Sequence, residues 1–100
     1  MCTRYLTPTS AAIERFWQLR PGQMPPWEPA AVFPRAPGPF IRRAVHDALP
    51  VPEPVIGAWG LIPAFAKEPR VAYSTFNARF EELSSKASYK APWARAQRCV

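Results

Sequence analysis

Histidine and cysteine are almost missing from this 100-residue chain, which has one histidine and two cysteines, Cys2 and Cys99, nearly a full chain length apart. Two cysteines so placed do not make the disulfide framework of a small secreted domain, and a cytoplasmic setting is expected. A closed four-ligand zinc site cannot be built from these three residues, and neither metal nor cofactor is expected. Long apolar runs are absent too: nothing approaches the roughly 20 residues of a membrane span, and no basic-then-apolar leader opens the chain. Acidic residues are scarce, seven against 13 Lys and Arg, so the net charge is +6.

What is present is apolar, aromatic and rich in proline. Hydrophobic residues make up 48% of the chain with four Trp, three Tyr and six Phe, a globular composition for a single domain with a modest core. Fourteen prolines disfavour long helices and favour irregular or β-rich structure. The ten arginines suit a polyanionic partner, since the planar guanidinium grips phosphate at two points where lysine offers a point charge. Solubility is the other reading of a basic surface.

Breakers and periodicity divide the chain as follows. Residues 2–7 read as a short strand ending at Pro8. Thr9 or Ser10 caps a helix through about Leu19, with Ile13, Phe16 and Trp17 on one buried face and Pro21-Gly22 as the stop. Residues 21–39 form a proline-rich loop whose Met24, Trp27 and Phe33 call for burial against the protein itself; the alternative is a polyproline ligand for a partner groove. Residues 40–45 and 54–59 read as two strands joined through His46-Asp47, and residues 70–76 as another. A short helix over 80–86 and a single turn begun by Pro92 follow, and Arg98-Cys99-Val100 reads as the start of a further strand.

Cys2 carries the most distinctive chemistry. Initiator methionine is generally trimmed before a small second residue, and Cys2 would then present an amine and a thiol on adjacent carbons. Ordinary α-amino groups titrate near 7.7 to 8.0 and thiols near 8.5, so both nucleophiles are partly available at neutral pH. Such a 1,2-aminothiol condenses with an aldehyde to a Schiff base and closes to a five-membered thiazolidine. A cysteine that is simply a small hydrophobe is the alternative.

Four stretches taken together give Cys2 a context. Met1-Cys2-Thr3-Arg4, Trp59-Gly60-Leu61-Ile62-Pro63, Asn77-Ala78-Arg79-Phe80-Glu81 and Arg98-Cys99 resemble, in order and spacing, the signature of the SOS-response-associated peptidase family. The resemblance implies an α+β, β-rich fold with a strongly curved sheet forming an open, clam-like barrel. It implies an autocatalytic cysteine peptidase that removes its own leading methionine, and a cleft for single-stranded DNA in which the cysteine so exposed captures the ring-opened sugar aldehyde of an abasic site in the DNA damage response. Carried onto this chain, Cys2 is the nucleophile and Asn77 the amide that holds the cysteine and the opened sugar. Arg4 and Arg79 are phosphate clamps, and Trp59, Pro63 and Pro37 line the cleft, Trp59 having core packing as its other reading. Residues 1–100 would form the N-terminal portion of such a domain, leaving a sheet edge open to self-association. Thr3 and Pro34 depart from the family's glycine and asparagine, and Phe65 replaces a second tryptophan. The family's assisting glutamate and histidine have no counterpart here, since Glu81 belongs to the motif and His46 matches nothing. A non-catalytic single-stranded DNA-binding remnant, or a proline-rich interaction module, are the competing functions.

Overall fold

The computed structural model describes residues 2–44, 48–49, 51–69 and 73–100. In chain order these form β1 (Tyr5–Leu6), α1 (Ser10–Phe16), β2 (Ala31–Val32), β3 (Pro37–Arg43), β4 (Pro52–Ala58), a 3-10 turn (Phe80–Glu82) and α2 (Ala87–Ala94). The class is α+β. The described strands make two separate antiparallel ribbons, β1 with β2 and β3 with β4, where the sequence suggested one curved, barrel-like sheet. Met1 and the proposed His46-Asp47 junction lie outside the described residues.

α1 starts where the sequence places it. Thr9 is the N-cap, and its hydroxyl accepts the Ala12 N–H at 3.2 Å. It ends three residues earlier than expected, because Gln18 adopts a left-handed φ of 53°. In that conformation Leu19 N–H reaches back to the Glu14 carbonyl at 2.8 Å and Gln18 N–H to that of Arg15 at 3.4 Å, closing the helix without glycine. The stop is therefore local, and Pro21-Gly22 only follows it. Ile13 is buried and Trp17 packs beside it, but Phe16 is 80% exposed, because a helix of two turns has one narrow face to give to the core.

The proline-rich segment wraps the protein's own core, as its large apolar residues require. Met24 is buried with Ile13 and Ile41, and Trp27 packs against that cluster, whereas Phe33 stays half-exposed. Two hydroxyls clamp this segment. The buried Thr7 accepts the Trp27 indole N–H at 2.7 Å and the Ala30 N–H at 2.9 Å, and its own O–H reaches the Ala30 carbonyl at 3.1 Å. Ser10 Oγ takes the Trp27 backbone N–H at 2.7 Å.

The segment is not all loop, since β2 and the first three residues of β3 lie within residues 21–39. Four prolines sit in β3 and β4, and the ladder shows why it tolerates them. Ala44 N–H reaches the Val51 carbonyl at 2.9 Å, and Trp59 N–H reaches that of Ala36 at 3.0 Å. Stepping by two from either end makes Gly38–Gly57, Phe40–Val55 and Arg42–Glu53 the hydrogen-bonded pairs. Pro37, Pro39, Pro52 and Pro54 all fall in the alternate pairs, where a missing N–H costs the ladder nothing. Ile41 belongs to the same alternate set, its N–H and carbonyl turned away from β4, and exchanges bonds with Val100 at 2.6 and 3.0 Å beside the Arg42–Cys99 bridge that joins the last residues to β3.

Two further sequence expectations change. Residues 73–76 form no strand, and residues 70–72 lie outside the described set. The helix expected over 80–86 shortens to the 3-10 turn, because Lys86 is extended and begins α2 as its N-cap. Pro92 then lies within α2, near its C-terminal end, and Ala96 at φ 53° closes the helix by the same kind of left-handed turn as Gln18.

Candidate functional site

The site begins with a hydrogen bond between residues 75 positions apart in sequence: the Asn77 side-chain amide donates to the Cys2 carbonyl at 2.9 Å. Asn77 is itself fixed from behind. The buried Tyr89 of α2 donates its hydroxyl to the Asn77 carbonyl at 3.1 Å, so the residue that holds the N-terminus is held by the protein's second helix. Cys2 is exposed and its thiol is in no disulfide.

Beside this bond is an aromatic row. The Tyr5 ring meets Trp59 edge to face at 5.2 Å, and Trp59 meets Phe76 in the same manner at 5.8 Å, the geometry that aromatic quadrupoles favour. Tyr5 keeps its proton well into the alkaline range, since burial raises its pKa and the nearby Cys99 adds to that shift. It therefore remains a donor, and its hydroxyl points to the Pro39 carbonyl at 3.4 Å. The close approach behind it depends on Gly38, where a Cβ would collide with the Tyr5 hydroxyl and come within 2.9 Å of a Val32 methyl. The two ribbons can cross there only because that position has no side chain.

Trp59 is anchored through its backbone, which bonds to Arg35 N–H at 2.8 Å and to the Ala36 carbonyl at 3.0 Å. That anchor brings Pro37, paired with Ala58, to the neighbouring position on the surface. Gly60 follows at a φ of 133°, a backbone that side-chain-bearing residues rarely adopt. The chain turns there and leaves a cavity of about 400 Å³ lined by Arg35, Trp59, Gly60, Leu61, Pro69 and Thr75. Trp59 packs against Tyr5 and Phe76 and also lines this cavity.

The structure brings Cys2 and Asn77 into contact and places Pro37 beside Trp59. Arg4 and Arg79 are exposed and make no ion pair among the described residues. Pro63 is buried. Sequence reasoning missed Phe76 and Tyr89. Phe76 had a signal in its place next to Asn77, but Tyr89 had none, because α2 was not anticipated. No group of three or more His, Cys, Asp or Glu side chains among the described residues could hold a metal ion. No helix among them is long and apolar enough to cross a membrane.

Comparison with known proteins defines the class first. The chain belongs to the SOS response associated peptidase (SRAP) family, whose model matches residues 1–100. Among curated proteins it is similar to the abasic site processing protein YoqW of Bacillus subtilis, 45% identical over 42 residues, which is 42% of this chain and 18% of the relative. The protein of the same name from Bacillus phage SPbeta matches equally. YobE of Bacillus subtilis, also an abasic site processing protein, is 43% identical over 42 residues and 19% of its length. A crystal structure of a protein from Bordetella bronchiseptica superimposes with a TM-score of 0.72 at 28% identity, covering 98% of this chain and 46% of the other. The chain thus spans about half the length of that solved relative, and its matches to the curated ones cover under a fifth of theirs.

Proposed function

We propose that this chain, acting in the DNA damage response, binds single-stranded DNA and captures the aldehyde of an abasic site covalently through Cys2, after self-removal of Met1. The observation that carries the reading is the Asn77–Cys2 hydrogen bond, which ties the one residue with aminothiol potential to a motif residue 75 positions away. The names of the curated relatives, each an abasic site processing protein, support the substrate.

The chemistry needs no redox partner. The freed α-amine of Cys2 adds to the aldehyde carbon of the ring-opened sugar, and one water leaves as the imine forms. The thiol then adds across the C=N bond, sulfur to carbon and its proton to nitrogen, closing the five-membered thiazolidine. One water is lost overall. Asn77 contributes by fixing the Cys2 carbonyl, so the amine and thiol are presented from an anchored residue instead of a loose chain end. Arg4 and Arg79 would supply the charge-assisted phosphate contacts, about twice as strong as neutral ones. The exposed Pro37 and the Trp59 face would hold bases apart beside the lesion, with the buried Pro63 supporting the turn beneath. The two ribbons would form part of an open, barrel-like enclosure around the strand, and the edge bridged at Cys99 gives a route to self-association. Such a protein works in the nucleoid-associated cytoplasm.

The test is incubation with single-stranded DNA carrying one abasic site, followed by a denaturing gel. A shifted band that disappears in Cys2→Ser is the expected result. Reversible binding with no such band would leave only the non-catalytic reading, and no DNA binding would leave the proline-rich module. An intact mass that retains Met1 would by itself remove the thiazolidine, because Cys2 would then have no free amine.

A further inference from the structure

A second basic surface includes neither Arg4 nor Arg79 in its lining. Arg42 and Arg43 at the end of β3 and Arg95 and Arg98 beyond α2 line one groove of about 540 Å³, whose apolar wall includes Phe40 and Leu61. No Asp or Glu lines it among the described residues. Four guanidinium groups from two distant parts of the chain converge there, and the fold holds two of them in place. Arg42 Nε is bonded to Glu53 at 2.6 Å, and the Arg98 guanidinium lies over the Trp93 ring at 4.3 Å. Arg43 and Arg95 are exposed and make no ion pair among the described residues. Leu61 lines both this groove and the cavity beside Trp59, so the two are neighbours along the surface.

We infer that this groove takes the phosphodiester backbone of single-stranded DNA running on from the abasic nucleotide, an assignment that rests on the function proposed above. Of the four guanidinium groups only Arg42 has a carboxylate partner among the described residues, so net positive charge is gathered in the groove, and a chain of phosphates neutralises it while releasing its own counterions. Arg42 and Arg98, held by Glu53 and Trp93, form the fixed wall of the track, while Arg43 and Arg95 are available to follow the strand. Phe40 and Leu61 offer an apolar margin for the bases. Because the groove adjoins the Trp59 cavity at one point, the track serves the strand on one side of the lesion only.

Salt-dependent binding tests this on the full chain. Three abasic strands are compared, with the lesion near the 5′ end, near the 3′ end, or central. For the Arg43→Gln/Arg95→Gln variant, the slope of log K against log salt should fall by about 1.4, since each single-strand phosphate contact contributes about 0.7. That loss is expected on the central strand and on only one of the two end-placed strands. Cross-linking at saturating DNA should be unchanged, and Arg43→Lys/Arg95→Lys should restore the slope. An unchanged slope on every strand, or an equal loss on all three, would overturn the assignment while leaving the Cys2 chemistry in place. Failure of the wild type to bind any strand would instead remove the function on which it rests.

Discussion

Asn77→Ala removes the side chain that holds the N-terminus and leaves the rest of its loop intact. The lost bond is a neutral amide-to-carbonyl contact of 2.9 Å at a partly exposed residue, so its net worth is about 0.5 to 1.5 kcal/mol. At about 1.4 kcal/mol per tenfold, the fraction of molecules with Cys2 correctly presented, and hence the cross-linking rate at subsaturating DNA, should fall about 2- to 12-fold. Global stability should fall by no more than the same amount, about 0.5 to 1.5 kcal/mol or about 2 to 12 °C of melting temperature, because Tyr89 bonds the Asn77 carbonyl and not its side chain. The assay is single-turnover cross-linking on denaturing gels beside a thermal melt. Tyr89→Phe gives the complementary result, losing the grip on the loop and slowing capture with the Asn77 amide still present. An Asn77→Ala rate equal to wild type would refute the anchoring argument. A rate loss matched by a large drop in melting temperature would refute it too, since Asn77 would then be structural.

Gly38→Ala drives a methyl group against Tyr5 and Val32. Overpacking of this kind costs about 1–3 kcal/mol, or about 5 to 20 °C of melting temperature in a domain this size, with Trp59 fluorescence reporting displacement of the Tyr5 ring. Thr7→Val deprives the Trp27 indole and the Ala30 N–H of their common acceptor and should destabilise by about 1–3 kcal/mol in a urea titration. Tyr5 has its pKa raised above 10 in the folded state, so the folded protein binds its proton more tightly than the unfolded chain does. Its contribution is intact below pH 10 and is lost as pH rises above that, and wild type should lose stability more steeply there than Tyr5→Phe. Ala96→Gly relieves a left-handed residue that closes α2 and should raise the melting temperature slightly, whereas the same change at Ala94, inside α2, should lower it.

The sequence by itself determined the parts that depend on residue type and near neighbours. Thr9 announced the start of α1 through its hydroxyl, the aromatic and aliphatic residues of the proline-rich stretch announced that most of it would fold back on the core, and Met1-Cys2, Trp59-Gly60 and Asn77-Ala78-Arg79 named the family. Only the tertiary structure decided how those parts meet. Whether a proline is tolerated in β3 or β4 depends on strand register, which no single segment contains. Gln18 ends α1 by adopting an unfavourable backbone that surrounding bonds stabilise, and nothing in its side chain signals that. The arginine groove joins β3 to the residues after α2, and a sum of charges cannot show such convergence. For Cys2 the division is clearest: its aminothiol chemistry is written in two adjacent residues, but its anchoring by Asn77, itself held by Tyr89, exists only because the fold brings the N-terminus against residues 75 or more positions further along the chain.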